Sequence, residues 1–379
     1  MRNTQTYVKS LLTVSALSLF IITHVRAEEL FEGLQYRKLV TPIQQTIHVM
    51  EVDPKHLQIK AAHAKDQALG RETVATIAKQ HKAIAAINGG FFKAGELIDG
   101  LPAGVLKIQG NWYGVAYQAR GAIAWSSQSQ TVLIDRIQTK TSVYLNHHKY
   151  PVNLVNQPGK PNAAVLYTSV YGAPAASLPG GYDIKIKDNH ILGFEPAGKT
   201  PIPKNGYVYS IGPKSRQPRY PLEVDDAATV NIEVIPHFNK ENYLAWQAVD
   251  NIIGGSPVLL YNGKVAHDYS SERLRSPFTK ERHARTAVGV LGNGHWVFVV
   301  VEQSAVTGSP GMTIPELTTL MQDLGAQDAI NLDGGGSSTF FIDNAVINHP
   351  EGDDQEDYGW TALRPVSDAI LILPKKHPR

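Results

Sequence analysis

The stretch Ala329–Phe341, AINLDGGGSSTFF, and its echo Ala86–Phe92, AINGGFF, carry the reading of this chain. Each begins as a short apolar strand, ends on a polar residue and runs into glycines. There no side chain blocks an approaching ligand, and backbone N–H groups can face an anion. In the longer copy the strand delivers the carboxylate of Asp333 to the mouth of the turn Gly334-Gly335-Gly336, and the hydroxyls of Ser337 and Ser338 follow. In the shorter copy Asn88 stands where Asp333 stands, ahead of Gly89-Gly90.

The residues upstream of the two copies are also alike. Arg71–His81 places Val74, Ile77 and Ala78 on one helical face and feeds the apolar strand Ala83–Ile87. Thr313-Ile314-Pro315-Glu316 is a capping box with proline in the first turn. Leu317, Leu320, Met321 and Leu324 form a buried stripe, and Gly325 ends the helix before the strand Ala329–Leu332. Helix, strand and glycine turn thus occur twice, and the expectation is two similar units meeting at one cleft. Convergence on a common motif accounts for the likeness nearly as well, since no clear repeat period supports a duplication.

Elsewhere the pattern is mostly strand. Gln45–Lys60 alternates around a Val52-Asp53-Pro54 corner, and Pro151–Pro221 is punctuated by Pro and Gly, with short strands such as Tyr182–Lys187 and Tyr207–Ile211. Arg285–Glu302 reads as a hairpin of two strands apolar on both faces, as in the middle of a sheet. If Asn293-Gly294 is a two-residue type I′ turn, Arg285 falls opposite Glu302; if Gly292 joins the loop, Arg285 pairs with Val301 instead. The fold class expected is α+β: a β-rich, mixed-sheet core flanked by a few helices. No low-complexity linker divides it, so residues 28–379 are expected to form a single domain.

Residues 1–27 read as a secretory leader, with Arg2 and Lys9, an apolar run Leu11–Ile22 and a Val25-Arg26-Ala27 cleavage site. The run is shorter than the ~20 residues of a membrane span. A periplasmic or secreted protein without a stable membrane anchor is therefore expected. Without the leader, 36 Lys+Arg against 34 Asp+Glu becomes 33 against 34, so the basic pI belongs to the leader and no footing for nucleic acid remains. With 0 cysteines, neither disulfides nor thiol chemistry is available.

AINGGFF, GGSPVLLYNGKV at Gly254–Val265, ARTAVGV at Ala284–Val290, the run Thr313–Thr339 and RPVSDAILI at Arg364–Ile372 together resemble the phosphodiester glycosidase family, in order and over most of the chain. The resemblance is to its free-standing exported bacterial members. It implies hydrolysis of a sugar-1-phosphodiester, with N-acetylglucosamine a plausible sugar, releasing the sugar and a phosphomonoester. One departure is that the family's hairpin strand ends in Asp followed by Gly, where this chain has Glu302-Gln303.

Phosphate changes what such a site requires. A sugar alkoxide leaves poorly unless protonated, which is why ordinary glycosidases carry two carboxylates. A phosphomonoester, with a second pKa near ~6, leaves without full protonation and asks mainly for positive charge and N–H donors. The expected catalytic residues are Asp333 as nucleophile or general base, Arg285 as phosphate clamp, Glu302 beside it, and Asn88 orienting a hydroxyl or water. Expected ligand contacts are Gly89, Gly90, Gly334, Gly335, Gly336, Ser337, Ser338 and His283. Trp112, Tyr113, Tyr358 and Trp360 are aromatic rings that could stack on a sugar. No metal or other cofactor is expected, although the acidic run with Asp353, Asp354 and Asp357 offers oxygen ligands for a divalent cation. The expected partner is a carbohydrate phosphodiester, and oligomeric state is open. Two rival readings are a non-catalytic binder of phosphorylated or cell-envelope polysaccharide, and a metal-dependent phosphodiesterase cutting on the other side of phosphorus.

Overall fold

A computed structural model describes residues 27–129, 131–266, 268–350 and 363–375. All but Ala27 of the stretch read as a secretory leader, the acidic run, and Tyr358 and Trp360 lie outside these residues. The described part is strand-rich, with few helices, as expected.

Two sheets form the centre. In one, the strands Thr46–Val52, Trp296–Val301, Arg285–Leu291, Ala326–Asn331 and Val258–Tyr261 lie side by side within an eight-stranded order. In the other, Phe340–Ile342, Ala85–Asn88, Asp368–Pro374 and Leu57–His63 are neighbours in a five-stranded order. Their facing side chains merge in one apolar core, with Met50, Phe298, Val300 and Ile330 from the first and Ile59, Ile87, Phe340 and Ile370 from the second. Apolar residues on both faces, as in VFVVV at 297–301 or AILIL at 369–373, are what a doubly covered sheet requires.

Each sheet is backed by one of the two predicted helices. Ile314–Asp323 carries the capping box and buries Leu317, Leu320 and Met321 against Val299, Val301 and Ala329 on the outer face of the first sheet. Val74–Gln80, capped by Thr73, buries Val74, Ile77 and Ala78 against Ala86, Phe341 and Leu371 on the outer face of the second. The two helix–strand–glycine units are therefore the halves of a helix–sheet–sheet–helix stack. The Asp53 corner lets the chain pass from one sheet to the other, with the Asp53 side chain accepting from the N–H of Lys55.

Flanking this stack is a seven-stranded sheet containing Arg120–Trp125 and Asn251–Gly254, and a separate five-stranded one built from the Pro/Gly-punctuated region. In the latter Tyr182–Lys187 and Tyr207–Ile211 appear at their predicted bounds, and Leu154–Val155 pairs in parallel with Ala164–Thr168.

The hairpin corrects one expectation. Arg285 pairs with Val301, not Glu302, and Val290 pairs with Trp296. A type I′ turn requires φ above zero at both Asn293 and Gly294. Only Gly294 has it, at +84°, and Gly292 joins the loop as in the alternative register.

Candidate active site

The two glycine turns meet, as expected. The side-chain amide of Asn88 donates to the carbonyl of Asp333 at 2.8 Å, and the N–H of Asp333 donates to the carbonyl of Gly89 at 3.2 Å. The Oδ1 of Asn88 accepts from the Thr286 hydroxyl at 2.7 Å and from the N–H of Thr339 at 3.2 Å. Asn88 is 1% exposed. This corrects the expectation that it orients a substrate hydroxyl or water: it clasps the two halves of the fold together.

Asp333 keeps partial access to solvent in a deeply set position. Burial, with a contribution from the nearby charge of Asp368, pushes its carboxyl up to about 6, against the opposing pull of Ser337, the Gly334 N–H and Arg364. The Gly334 N–H bond is 3.0 Å, whereas the Ser337 hydroxyl lies close without a hydrogen bond of ordinary geometry. Asp333 is thus a base held near neutrality.

Asp368 was not among the expected site residues. It heads the strand Asp368–Pro374, is 2% exposed, and accepts from the N–H of Gly90 at 3.0 Å and from the Ser367 hydroxyl. Burial raises its pKa, while Ser367, the Gly90 N–H and His63 hold it down. Its place in the RPVSDAILI motif, as the acid opening an apolar strand, was the available signal.

A narrow pocket opens beside Asp368. Its walls are Gly90 and Phe91, the segment Pro102–Leu106, Arg120-Gly121 and Gly254-Gly255. Arg120, at the head of its strand, makes no side-chain hydrogen bond or ion pair among the described residues. An unpaired guanidinium in a pocket with backbone walls brings positive charge and N–H donors that attract anions. Glu272 holds these walls: its carboxylate accepts from the Gly121 N–H at 3.0 Å, the Ser256 hydroxyl at 2.7 Å and the Val258 N–H at 3.2 Å, and it pairs with Arg136 at 3.3 Å.

Arg285 does not fill the role expected of it. Its Nε donates to the Met312 carbonyl and its Nη2 to those of Phe278 and Glu281, at 2.7 to 3.0 Å. Adjacent strand residues point to opposite faces. Thr286 faces Asn88, so Arg285 faces the helix-backed side of the sheet, where burial lowers its pKa to about 10. Arg364, not Arg285, favours the charged form of Asp333. Glu302 is likewise occupied. Wholly buried, it accepts from His48 at 2.8 Å, the Thr307 hydroxyl at 2.8 Å and the His349 N–H at 3.0 Å. His48 in turn meets the Tyr36 hydroxyl at 2.8 Å. Glu302 is therefore the centre of a structural network and does not sit beside Arg285.

The glycine turns also differ from the expectation of open N–H donors. Gly89 and Gly90 donate to Asp368, Gly334 to Asp333, and Gly335 to the Ala284 carbonyl. Gly336 is buried in the same turn. Ser337 and Ser338 are fully buried, with Ser338 bonded to Thr286 at 3.2 Å. His283 lies 4.0 Å from Glu281, on the segment bridged to Met312. Tyr113 is buried and stacked on His63, and Trp112 lies under Lys107 at 5.1 Å, so neither ring is an open platform. Among the described residues no group of three or more His, Cys, Asp or Glu side chains could hold a metal ion.

Comparison with known proteins agrees with this architecture. The phosphodiester glycosidase family profile matches residues 180–373. The chain is 25% identical over 230 residues to an uncharacterized protein of Rickettsia conorii, covering 60% of this chain and 77% of that protein. It is 31% identical over 97 residues to the N-acetylglucosamine-1-phosphodiester alpha-N-acetylglucosaminidase of Mus musculus, a match spanning 26% of this chain and only 18% of the mouse enzyme. Among solved structures, a hypothetical protein from Synechocystis superposes with a TM-score of 0.76 at 24% identity, over 93% of this chain and 64% of that one. A Burkholderia pseudomallei protein described as exported superposes at 0.70 and 20% identity, over 87% and 74%.

Proposed function

The chain belongs to the phosphodiester glycosidase family, and from that premise we propose that it hydrolyses a sugar-1-phosphodiester between the anomeric carbon and the phosphate oxygen. The observation that carries the reading is a glycine-walled pocket lined by Asp368 and the unpaired Arg120, with Asp333, a carboxylate with its pKa near 6, close enough to Asp368 to feel its charge. An N-acetylglucosamine-like sugar fits the mouse relative, which is named for that sugar. Export to the periplasm or beyond follows from the leader. No helix among the described residues is long and apolar enough to cross a membrane.

In this reading Arg120 binds the phosphate and stabilises the negative charge that gathers on it as the bond breaks. Asp333 attacks the anomeric carbon or takes a proton from the attacking water. With its pKa near 6 it is about 90% ionised at pH 7, yet more basic than an ordinary carboxylate. Asp368 fixes the first glycine turn through Gly90, and its charge raises the basicity of Asp333. The departing phosphomonoester needs no strong acid, which fits a site whose cation is a guanidinium.

The test is hydrolysis of N-acetylglucosamine-1-phosphate methyl ester in ¹⁸O-labelled water by the mature chain. Label entering the sugar is expected. Label entering the phosphate would overturn the assignment in favour of a phosphodiesterase, and bound substrate with no product would mark a binder.

A further inference from the structure

We infer that a second anion pocket, lined by Lys93 and Tyr117 with Lys160 close outside it, lies next to the Arg120 pocket and takes a phosphate group carried on the substrate's leaving alcohol. The inference rests on the proposed reaction for its substrate. The pocket itself is argued from its own residues.

Lys93 follows the first glycine turn on an extended segment bridged at Phe92 to Pro102. Residues two apart on such a segment share a face. Phe91 lines the Arg120 pocket, and Lys93 lines a second cavity of about 140 Å³ whose walls include Tyr117, Asn156 and Gln157. That is several times the roughly 30 Å³ share of one water molecule. Pro102 and Ala103 line both cavities, so one strand of backbone separates them.

The second cavity has Lys93 and no carboxylate on its walls. Lys93 is half-buried, and burial together with the nearby ammonium of Lys160 lowers its pKa. Neither lysine makes an ion pair or side-chain hydrogen bond among the described residues. Holding two like charges near each other with no carboxylate raises the energy of the empty site, and an anion relieves it. Tyr117 adds a directed donor. Its hydroxyl oxygen accepts from the Val155 N–H at 2.7 Å and from the Gln157 amide at 3.2 Å, which leaves its own proton to donate. The Lys93 ammonium and the Tyr117 hydroxyl on the wall, with the Lys160 charge close by, suit a doubly charged tetrahedral phosphate better than a singly charged carboxylate. The favoured substrate class is therefore a sugar-1-phosphodiester whose alcohol bears a further, terminal phosphomonoester.

Two measurements on the full mature chain separate the pocket from the reaction. Calorimetric titration with glycerol-3-phosphate, in an Arg120→Ala background that silences the first pocket, should show salt-sensitive binding, weakened about tenfold by Lys93→Gln or Lys160→Gln. Binding indifferent to both substitutions overturns the inference. Hydrolysis of the glycerol-3-phosphate diester of N-acetylglucosamine-1-phosphate, compared with its methyl ester, should show a KM preference of about tenfold for the former. Lys93→Gln should erase that preference and leave turnover of the methyl ester unchanged. Hydrolysis of both esters with equal KM removes the pocket and leaves the proposed reaction standing. Lysine-dependent binding without hydrolysis of either leaves the pocket and removes the reaction.

Discussion

Replacing Asp333 by Asn should make the protein more stable and inactive at once, and the size of the gain follows from the position of the carboxylate. Burial and Asp368 raise its pKa from 3.8 to about 6. At 1.36 kcal/mol per unit, a shift of about two units corresponds to about 3 kcal/mol. An acid with a raised folded-state pKa holds its proton more tightly when folded than when unfolded. Below pH 3.8 both states are protonated and nothing is lost. Between 3.8 and about 6 the unfolded state ionises first, stability falls as pH rises, and above 6 the loss is complete. Asparagine cannot ionise and keeps an oxygen for the Gly334 N–H, so it should recover about 1 to 3 kcal/mol at pH 7.5 and almost none at pH 4. Urea unfolding of both proteins at the two pH values, followed by tryptophan fluorescence, measures the gap. Turnover on the sugar phosphodiester should fall by about a thousandfold in the same variant. A variant less stable at pH 7.5, or a gap of equal size at pH 4, would refute the reasoning.

Four further perturbations distinguish site from scaffold. Arg120→Ala should reduce kcat/KM by about a hundredfold through lost charge-assisted contacts while leaving the melting temperature unchanged. Arg285→Met should do the reverse, destabilising by about 3 to 5 kcal/mol as three buried carbonyls lose their donor, with kcat per folded molecule retained. Burial alone would raise the pKa of Glu302, but His48, Thr307 and the His349 N–H draw it from 4.5 to about 2. Its contribution is therefore present above pH 4.5 and lost as pH falls through about 2, so Glu302→Gln should cost about 3 kcal/mol at pH 7 in urea unfolding, narrowing below pH 4.5. Gly89→Ala would place a methyl carbon 2.1 Å from Oδ2 of Asp368, so soluble yield and activity should both collapse.

The elements were legible where local chemistry decides them: the Thr313 cap, the apolar stripes of the two helices, the strands feeding both glycine turns, and the meeting of those turns. The hairpin register was not, because Asn-Gly permits more than one loop and a shift of one residue moves Arg285 from Glu302 to Val301. The roles of the charged residues were harder still. A buried arginine that binds carbonyls and an unpaired one that lines a pocket look alike in a sequence. Nothing local separates Arg285, enclosed by three backbone carbonyls, from Arg120, whose pocket is assembled from Gly90, Pro102 and Gly254, all remote in the chain. Asp368 was missed for a related reason, since its function depends on a contact with Gly90, 278 residues away.

The glycines themselves have a different explanation from the one their sequence suggests. A run of Gly before a strand invites thought of left-handed backbone or of open N–H donors, yet Gly89, Gly90, Gly255 and Gly334 have no left-handed φ. What they lack room for is a Cβ. It would lie 2.1 Å from Oδ2 of Asp368 at Gly89, 2.6 Å from the Gly254 carbonyl at Gly90, 2.5 Å from the Asn331 carbonyl at Gly255 and 2.7 Å from the Ala284 carbonyl at Gly334. The glycines bring backbone segments into close contact, so that Asp368 meets Arg120 at one pocket and comes near Asp333. In the proposed reaction the guanidinium holds the phosphate, and the close backbone contact sets the burial that lifts Asp333 toward neutrality. Enlarging any of these four residues should therefore lower the Asp333 pKa by admitting water, and the acid limb of the pH–rate profile, expected near pH 6, should move down with it. A limb that stays near 6 in a folded variant such as Gly255→Ala would mean that something other than the packing of these backbones sets the basicity of the site.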